Sequence, residues 1–145
     1  MKRFFMLVFV VFLGFLIYGG YVFFQAYQAT QSAYQELERG EKSKLRTEVV
    51  KAGNDPVSIL VMGIEDYATN GKNGRTDTLI LITIDPKSKN MKMLSIPRDS
   101  RVEIIGRGEL DKINHAHAYG GTEMTINTVE AFLDIPVDYY VKINF

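Results

Sequence analysis

The apolar residues of this chain are concentrated in one uninterrupted stretch near its start. Residues 4–24, FFMLVFVVFLGFLIYGGYVFF, carry no charge, and a helix of this length crosses the hydrocarbon core of a bilayer. A buried helix of a soluble protein rarely stays apolar on every face for so long. A cleaved signal peptide normally has a shorter apolar region that ends at a small-x-small site. The pattern therefore predicts a transmembrane signal anchor at 4–24.

The charges around this stretch predict its orientation. Lys2 and Arg3 precede it, and the next charged residue is Glu36. Basic flanks stay in the cytoplasm, so we expect residues 1–3 to form a cytoplasmic tip and the chain after the anchor to lie outside. Residues 25–55 are polar with a thin stripe of alanine and leucine at helical spacing, which is typical of a stalk or linker.

The pattern changes to short apolar runs after Pro56, which predicts strands. A turn, DPKSKN, separates two of these runs and indicates a hairpin. The predicted strands are 57–64, 78–84, 91–96 and a short 101–105.

A helix and one more strand complete the predicted domain, 56–145. Ile126, Val129 and Leu133 share one helical face of the segment 122–133, which follows the turn expected at Tyr119-Gly-Gly121. Residues 139–145 alternate as a half-buried strand. The order of elements predicts an α/β fold, a mixed α+β sandwich with a mixed sheet and packed helices. Since the chain stops on a strand, we expect a domain truncated at its C-terminal side, with an unfinished sheet edge.

Composition narrows the function classes. The chain has 145 residues, a formal net charge of zero and no cysteine. Disulfides, thiolate zinc sites and a cysteine nucleophile are thereby excluded. The exposed part has no basic helix or helix-turn-helix pattern, so nucleic acid is not an expected partner.

Three charged clusters fall at the ends of predicted strands. They are Glu65-Asp66, Arg75-Thr76-Asp77 and Arg98-Asp99-Ser100-Arg101. Arginine holds phosphate oxygens in a bidentate way, and carboxylates bind Mg²⁺ that is shared with substrate phosphates. A carboxylate could also accept a proton from an attacking hydroxyl. The clusters therefore indicate a phosphate site, although Arg75–Asp77 and Arg98–Asp99 could equally be structural ion pairs.

The remaining polar residues indicate less. Ser100 has no identifiable base partner. His115 and His117 stand two apart without a third ligand at a suitable spacing, so a metal site is not favoured. We expect Asn114 and His115 to bond loop backbone at the edge of the site.

The motifs in their order resemble the LytR-CpsA-Psr family. These are VSILVMGIE, GRTDTLILITIDPKSKNMKMLSIPRDSRV, LDKINHAHAYGG and VDYYVKINF, after an N-terminal signal anchor. The likeness covers nearly everything from residue 56 onward, and GRTDT with SIPRD is its most specific part.

The resemblance implies a membrane-anchored transferase of the Gram-positive cell envelope. Such enzymes move a glycopolymer, a teichoic acid or capsular polysaccharide, from an undecaprenyl-pyrophosphate carrier to peptidoglycan, form a phosphodiester and use Mg²⁺. Matched by motif, Asp77 is the metal-linked aspartate and Arg98 the pyrophosphate-binding arginine. Both are therefore the expected catalytic residues. Arg75 and Arg101 are expected phosphate contacts, and Glu65 is a second expected metal ligand.

Two departures from the family pattern qualify these expectations. The first motif usually reads Gly-x-Asp, and this chain has Gly63-Ile64-Glu65. The family fold also continues past residue 145 with further arginines, so we expect the chain alone to be inactive or nearly so. The alternative function is a non-catalytic, membrane-tethered module that binds phospholipids or polyanions, or acts as a regulatory attenuator.

Overall fold

The first of two compact units is a single long helix. In the computed structural model, residues 2–33, 37, 39–40, 42–65 and 74–144 are described, and the chain divides into units 1–36 and 37–145. Helix α1 runs over Lys2–Ala33. Its stretch Lys2–Gln28 is long and apolar enough to cross a membrane by length and composition, which agrees with the candidate anchor at 4–24.

The second unit is built on a four-stranded mixed sheet. Its strands are β1 (Val57–Glu65), β2 (Arg75–Asp85), β3 (Asn90–Ser95) and β6 (Tyr139–Asn144), in the order β3-β2-β1-β6. β1 and β3 both pair antiparallel with β2, whereas β6 runs parallel to β1. The prediction of a mixed sheet with a packed helix is confirmed.

Helix α2 (His115–Leu133) packs against β2 of the sheet and against a two-stranded ribbon, β4 (Arg101–Ile104) with β5 (Glu109–Lys112). Burying apolar side chains between these layers is the main favourable term in folding. The core consists of fully or almost fully buried side chains: Leu60, Met62, Leu79, Leu81, Ile96, Val102, Ile104, Ile113, Ala116, Ile126, Val129 and Val137.

The helix begins earlier than its sequence pattern predicts. The predicted segment 122–133 is helical, but α2 starts at His115 and is kinked at Gly120 and Gly121, which have non-helical dihedral angles. Gly121 adopts φ 66° and ψ −153°, a conformation that is essentially restricted to glycine. The expected turn at 119–121 is therefore a kink inside the helix instead of its beginning.

Part of the segment expected to be a stalk packs against this unit. Leu37 contacts the core, and Ser43 is fully buried. Arg46 donates two hydrogen bonds to the carboxylate of Asp138, from Nε at 3.0 Å and from Nη2 at 2.8 Å. The bonds of Arg46 hold it beside the loop that leads into β6, and Leu37 and Ser43 are packed within the same unit.

The opposite face of the sheet is also apolar, and it remains partly exposed. The cross-strand row Met93, Ile82, Ile59 and Tyr139 follows from the pairing registers. Met93 is 60 % exposed and Tyr139 49 %. Further members of this open face are Val61, Ile80, Val141 and Ile143.

Candidate functional site

A β-bulge at Asp77 forms the centre of the site. Gly63 pairs with Thr78 and Ile64 pairs with Thr76, so Asp77 is the extra residue of β2 without a partner on β1. The bulge changes the spacing of the buried residues along β2: Thr76 and Leu79 are buried, and the two residues between them are not. A bulge of this kind redirects a side chain and is common beside binding sites. It leaves the Asp77 side chain 30 % exposed.

Arg98 reaches Asp77 from the turn that follows β3. The N–H of Ile96 donates to the carbonyl of Leu79 at 2.8 Å, and Pro97 then begins a turn closed by the N–H of Ser100 at 3.0 Å. From this turn Arg98 Nη1 donates to Asp77 Oδ1 at 2.5 Å. Asp77 therefore forms its ion pair with Arg98. The alternative pair Arg75–Asp77, which the sequence left open, is not formed among the described residues.

Arg98 lies in a negative field. The hydrogen bond to Asp77 raises the pKa of the Arg98 guanidinium, and the charges of Asp77, Asp99 and Glu65 act in the same direction. The nearest approach to Asp99 is 3.9 Å, from Nε to Oδ2, which is too long for a hydrogen bond. Because the charge of Glu65 also acts on Arg98, Glu65 belongs to the same electrostatic site as Asp77 and Arg98.

Two further arginines flank this pair. Arg75 lies opposite Glu65 at the start of β2, and Arg101 begins β4 opposite Lys112. Both arginines are exposed. In the part of the chain that the structure describes, neither guanidinium makes a hydrogen bond or an ion pair. Lys112 is paired with Asp99, at 2.7 Å from Nζ to Oδ1, so the Arg101 guanidinium is the cation of this strand pair that is available to an anion.

Asn114 connects the segments that carry the site. Its N–H donates to the carbonyl of Arg98 at 3.3 Å, and its carbonyl accepts from the N–H of Thr76 at 3.4 Å. Asn114 was expected to bond loop backbone, and it does so through its own main-chain N–H and carbonyl. The buried side-chain oxygens Asn114 Oδ1 and Thr76 Oγ1 have no hydrogen-bond partner among the described residues.

The two histidines have different partners. His117 is buried, and its Nδ1 donates to the carbonyl of Gly74 at 2.7 Å. The expectation that His115 bonds loop backbone is wrong, because its Nδ1 lies 2.8 Å from Asp111 Oδ2. A carboxylate four residues away on the adjacent strand β5 is the nearer partner, and this partnership was not predicted.

Asp111 is the acceptor at the centre of that second cluster. It also accepts from the hydroxyl of Tyr119 at 2.8 Å. These hydrogen bonds, with that of His115 the largest influence, lower the pKa of Asp111 to about 2. His115 and Tyr119 have the four-residue spacing of neighbours on one helix, but Asp111 lies on strand β5, so helical spacing does not indicate its contact with them.

The residues expected to bind Mg²⁺ have suitable chemistry. Mg²⁺ is usually bound by one or two carboxylates together with substrate phosphates. Glu65 ends β1, Asp77 lies at the bulge near the start of β2, and both carboxylates act on the charge of Arg98. Within the described ranges no three histidine, aspartate or glutamate residues cluster as a metal site. Asp66 lies outside the described residues.

The fold and the site define a mixed α+β domain that gathers arginines and carboxylates at the ends of its strands. The chain belongs to the LytR-CpsA-Psr family, whose model matches residues 20–145. The family predicted from the motifs is confirmed.

Curated relatives of this chain are teichoic acid transferases. It is 54 % identical over 129 residues to the polyisoprenyl-teichoic acid–peptidoglycan teichoic acid transferase TagV of Bacillus subtilis (strain 168), covering 88 % of this chain and 33 % of the relative. It is 44 % identical over 146 residues to TagU of the same strain, covering 99 % and 47 %. The chain thus spans less than half the length of these relatives.

Solved structures with the same fold include ligand complexes. A structure of the LytR-CPS2A-psr family protein YwtF (TagT) with bound octaprenyl pyrophosphate lipid matches with a TM-score of 0.68 and 47 % identity, covering 77 % of this chain and 43 % of that one. A structure of TagT bound to LI-WTA matches with a TM-score of 0.69 and 47 % identity, covering 77 % and 42 %.

Proposed function

We propose that this chain forms part of a membrane-anchored transferase. The enzyme moves a glycopolymer, a teichoic acid or capsular polysaccharide, from an undecaprenyl-pyrophosphate carrier to a peptidoglycan hydroxyl through a phosphodiester bond. The observation that carries the proposal is the Arg98–Asp77 pair at the bulge, flanked by the exposed arginines Arg75 and Arg101. Relatives with the names of such transferases and a TagT structure with octaprenyl pyrophosphate support it.

The arginines bind the pyrophosphate in this proposal. A guanidinium offers a planar fork of donors that matches phosphate oxygens. Arg98 is held in place by Asp77, so it is oriented before the donor arrives. Arg75 and Arg101 lie at the ends of β2 and β4, free to add contacts from two sides.

Asp77 and Glu65 hold Mg²⁺ in this proposal. The bound ion would neutralise charge on the phosphate that departs. Asp77 accepts from Arg98 through Oδ1, and its other carboxylate oxygen would be offered to the cation. The Arg98–Asp77 pair would then stay in place while the remaining guanidinium donors of Arg98 contact the pyrophosphate.

The membrane places the donor within reach of this site. Lys2 and Arg3 stand at the start of the candidate span Lys2–Gln28 and precede its uncharged stretch 4–24, and we propose a single-pass protein with a cytoplasmic N-terminus and an extracellular domain. A lipid-linked donor in the outer leaflet would then meet a tethered enzyme. The open apolar face of the sheet has the chemistry to contact a polyisoprenyl chain.

The test uses the longest coding region that contains this sequence. The protein is incubated with a polyprenyl-pyrophosphate glycan donor, peptidoglycan oligomers and Mg²⁺, and polymer-linked peptidoglycan is measured. Arg98→Ala and Asp77→Ala should each lower the transfer rate by about 10²- to 10³-fold, as does the loss of one positioned donor in other enzymes. Lys92→Ala, an exposed cation on β3, is the matched control and should transfer normally.

The same assay separates the alternative function. A binding module that tethers phospholipids or polyanions needs the arginines and does not need turnover. Donor binding that is lost in Arg98→Ala, with no transfer by the parent protein at any Mg²⁺ concentration, would favour the module over the transferase.

A further inference from the structure

The pair formed by His115 and Asp111 lies beside the proposed pyrophosphate site and takes no part in the proposed binding of pyrophosphate or Mg²⁺. His115 Nδ1 is 2.8 Å from Asp111 Oδ2. Because Asp111 is ionised above a pKa of about 2, its oxygen accepts and His115 Nδ1 carries the proton. The other ring nitrogen, Nε2, makes no hydrogen bond within the described part of the chain, and the side chain is 21 % exposed.

The backbone brings this imidazole to the turn that carries Arg98. His115 follows Asn114, whose N–H donates to the carbonyl of Arg98 at 3.3 Å. The pKa of Asp99 is lowered first by its hydrogen bond with Lys112 and also by the charges of Arg98 and His115, so both of these groups lie within electrostatic reach of Asp99. His115 is thus one residue away from a direct main-chain contact with the site.

The neighbouring carboxylates are poorly suited to accept a proton. Asp99 Oδ1 is paired with Lys112 Nζ at 2.7 Å, and its pKa is lowered by that hydrogen bond. Asp77 is paired with Arg98. The groups that face His115 are Asp111, Asp99 and the ring of Tyr119. Imidazole is the side chain whose ordinary titration lies closest to neutral pH.

We propose that His115 is the general base of the transfer and that Asp111 is its positioning residue. The inference rests on the proposed function and names a different proton acceptor from the carboxylate expected from sequence. An acceptor hydroxyl oxygen forms a bond to the phosphorus that bears the glycan, and the bridging P–O bond to the carrier breaks. The hydroxyl proton goes to His115 Nε2, and polyprenyl monophosphate leaves with the bonding electron pair.

Asp111 has the geometry of an orienting group. By accepting from Nδ1 it selects the tautomer in which Nε2 is an acceptor, and it stabilises the imidazolium that forms. Tyr119 holds the same carboxylate oxygen at 2.8 Å, which fixes the carboxylate without contacting the base nitrogen.

The experiment measures kcat, KM and their pH dependence in the longest coding region that contains this sequence. His115→Gln should lower kcat by about 10²- to 10⁴-fold, the range of general-base catalysis, and abolish the acidic limb of the pH profile. The dissociation constant of the lipid-pyrophosphate donor should not change. Asp111→Asn should lower kcat at an unchanged KM, because the imidazole loses the acceptor that fixes its tautomer and orientation.

Tyr119→Phe is the matched control, since it removes the other hydrogen bond to Asp111 and leaves the imidazole. It should retain the acidic limb. The inference is overturned if His115→Gln keeps the parent kcat, or if its loss is confined to KM or leaves the acidic limb in place. A parent protein that transfers nothing overturns the proposed function as well, whereas an active parent with active variants overturns this inference alone.

Discussion

The buried ion pair between Arg39 and Glu130 provides a quantitative test of how the domain is held together. Glu130 Oε1 accepts from Arg39 Nη1 at 2.9 Å and from the N–H of Val137 at 2.7 Å. Arg39 Nη2 also donates to the carbonyl of Val137. The Arg39 side chain is 3 % exposed and that of Glu130 is 6 % exposed. One carboxylate therefore joins the segment before β1, the end of α2 and the loop before β6.

Replacing Glu130 with alanine should be strongly destabilising. Removal of one partner from a buried ion pair costs about 3–5 kcal/mol, since the other charge is left buried. The Val137 N–H loses its acceptor at the same time, and a buried donor without a partner costs about 1–3 kcal/mol. Arg39 keeps its bond to the Val137 carbonyl, which offsets part of the sum. We expect a loss of about 4 kcal/mol, a large fraction of the stability of an ordinary domain.

The assay is urea unfolding of the longest coding region containing this sequence, followed by tyrosine circular dichroism. The midpoint and slope give the free energy of unfolding for the parent, Glu130→Ala, Arg39→Met and the double variant. The double variant should recover part of the loss, because no uncompensated charge remains. Glu109→Ala, which breaks the exposed pair with Arg107, is the control and should leave the midpoint unchanged.

The reasoning would be refuted by a Glu130→Ala variant that loses less than about 1 kcal/mol, the range of exposed ion pairs. Equal losses in Glu130→Ala and in the double variant would also contradict it. Either result would mean that the guanidinium reaches water when its partner is removed, so that Arg39 is not buried as described.

Three further predictions concern the helix α2 and its surroundings. Gly121→Ala should cost about 1–3 kcal/mol in thermal or urea unfolding, since its φ of 66° is strained for any residue with a Cβ; an unchanged midpoint would contradict the kink. Ile126→Ala should cost about 2–5 kcal/mol in the same assay, because Ile126 is fully buried in the core. Asp111→Asn should be less stable than the parent above about pH 4, the ordinary range of an aspartate. The difference should vanish as pH falls through about 2, the lowered pKa of Asp111; urea midpoints against pH would test this, and a difference that persisted in stronger acid would contradict it.

The periodic elements were predictable from sequence because burial imposes their period. The strand expected at 57–64 is observed as Val57–Glu65, and that expected at 91–96 as Asn90–Ser95. By contrast β5, with the sequence ELDK, was not predicted. It has one apolar residue, Leu110, which is itself 59 % exposed, so no pattern of burial marks it.

The candidate site was predictable in its residue types and unpredictable in its pairing. Glu65, Asp77 and Arg98 were expected together from their places at strand ends. The partner of Asp77 depends on the bulge, because one extra residue in β2 turns its side chain relative to the regular register. Whether β2 contains an extra residue is decided by its pairing with β1, which local sequence does not determine.

Long-range ion pairs were the least predictable feature. Arg39 and Glu130 are separated by 91 positions, and Arg46 and Asp138 by 92. Residues 25–55 were expected to form a stalk because their composition is polar, and composition does not show which charged residues find a buried partner. The two partners of each pair come into contact only when the chain folds.

The placement of Asp77 and Arg98 depends on a residue that contacts neither of their side chains. The main chain of Asn114 accepts from Thr76, the neighbour of Asp77, and donates to Arg98 itself. Since both bonds are made by backbone atoms, most side chains at position 114 would preserve them. Proline would not, because it lacks the N–H that bonds Arg98. Asn114 also precedes His115, so Arg98 of the proposed pyrophosphate site and the proposed base are positioned by one peptide segment, and a shift of that segment would displace both together.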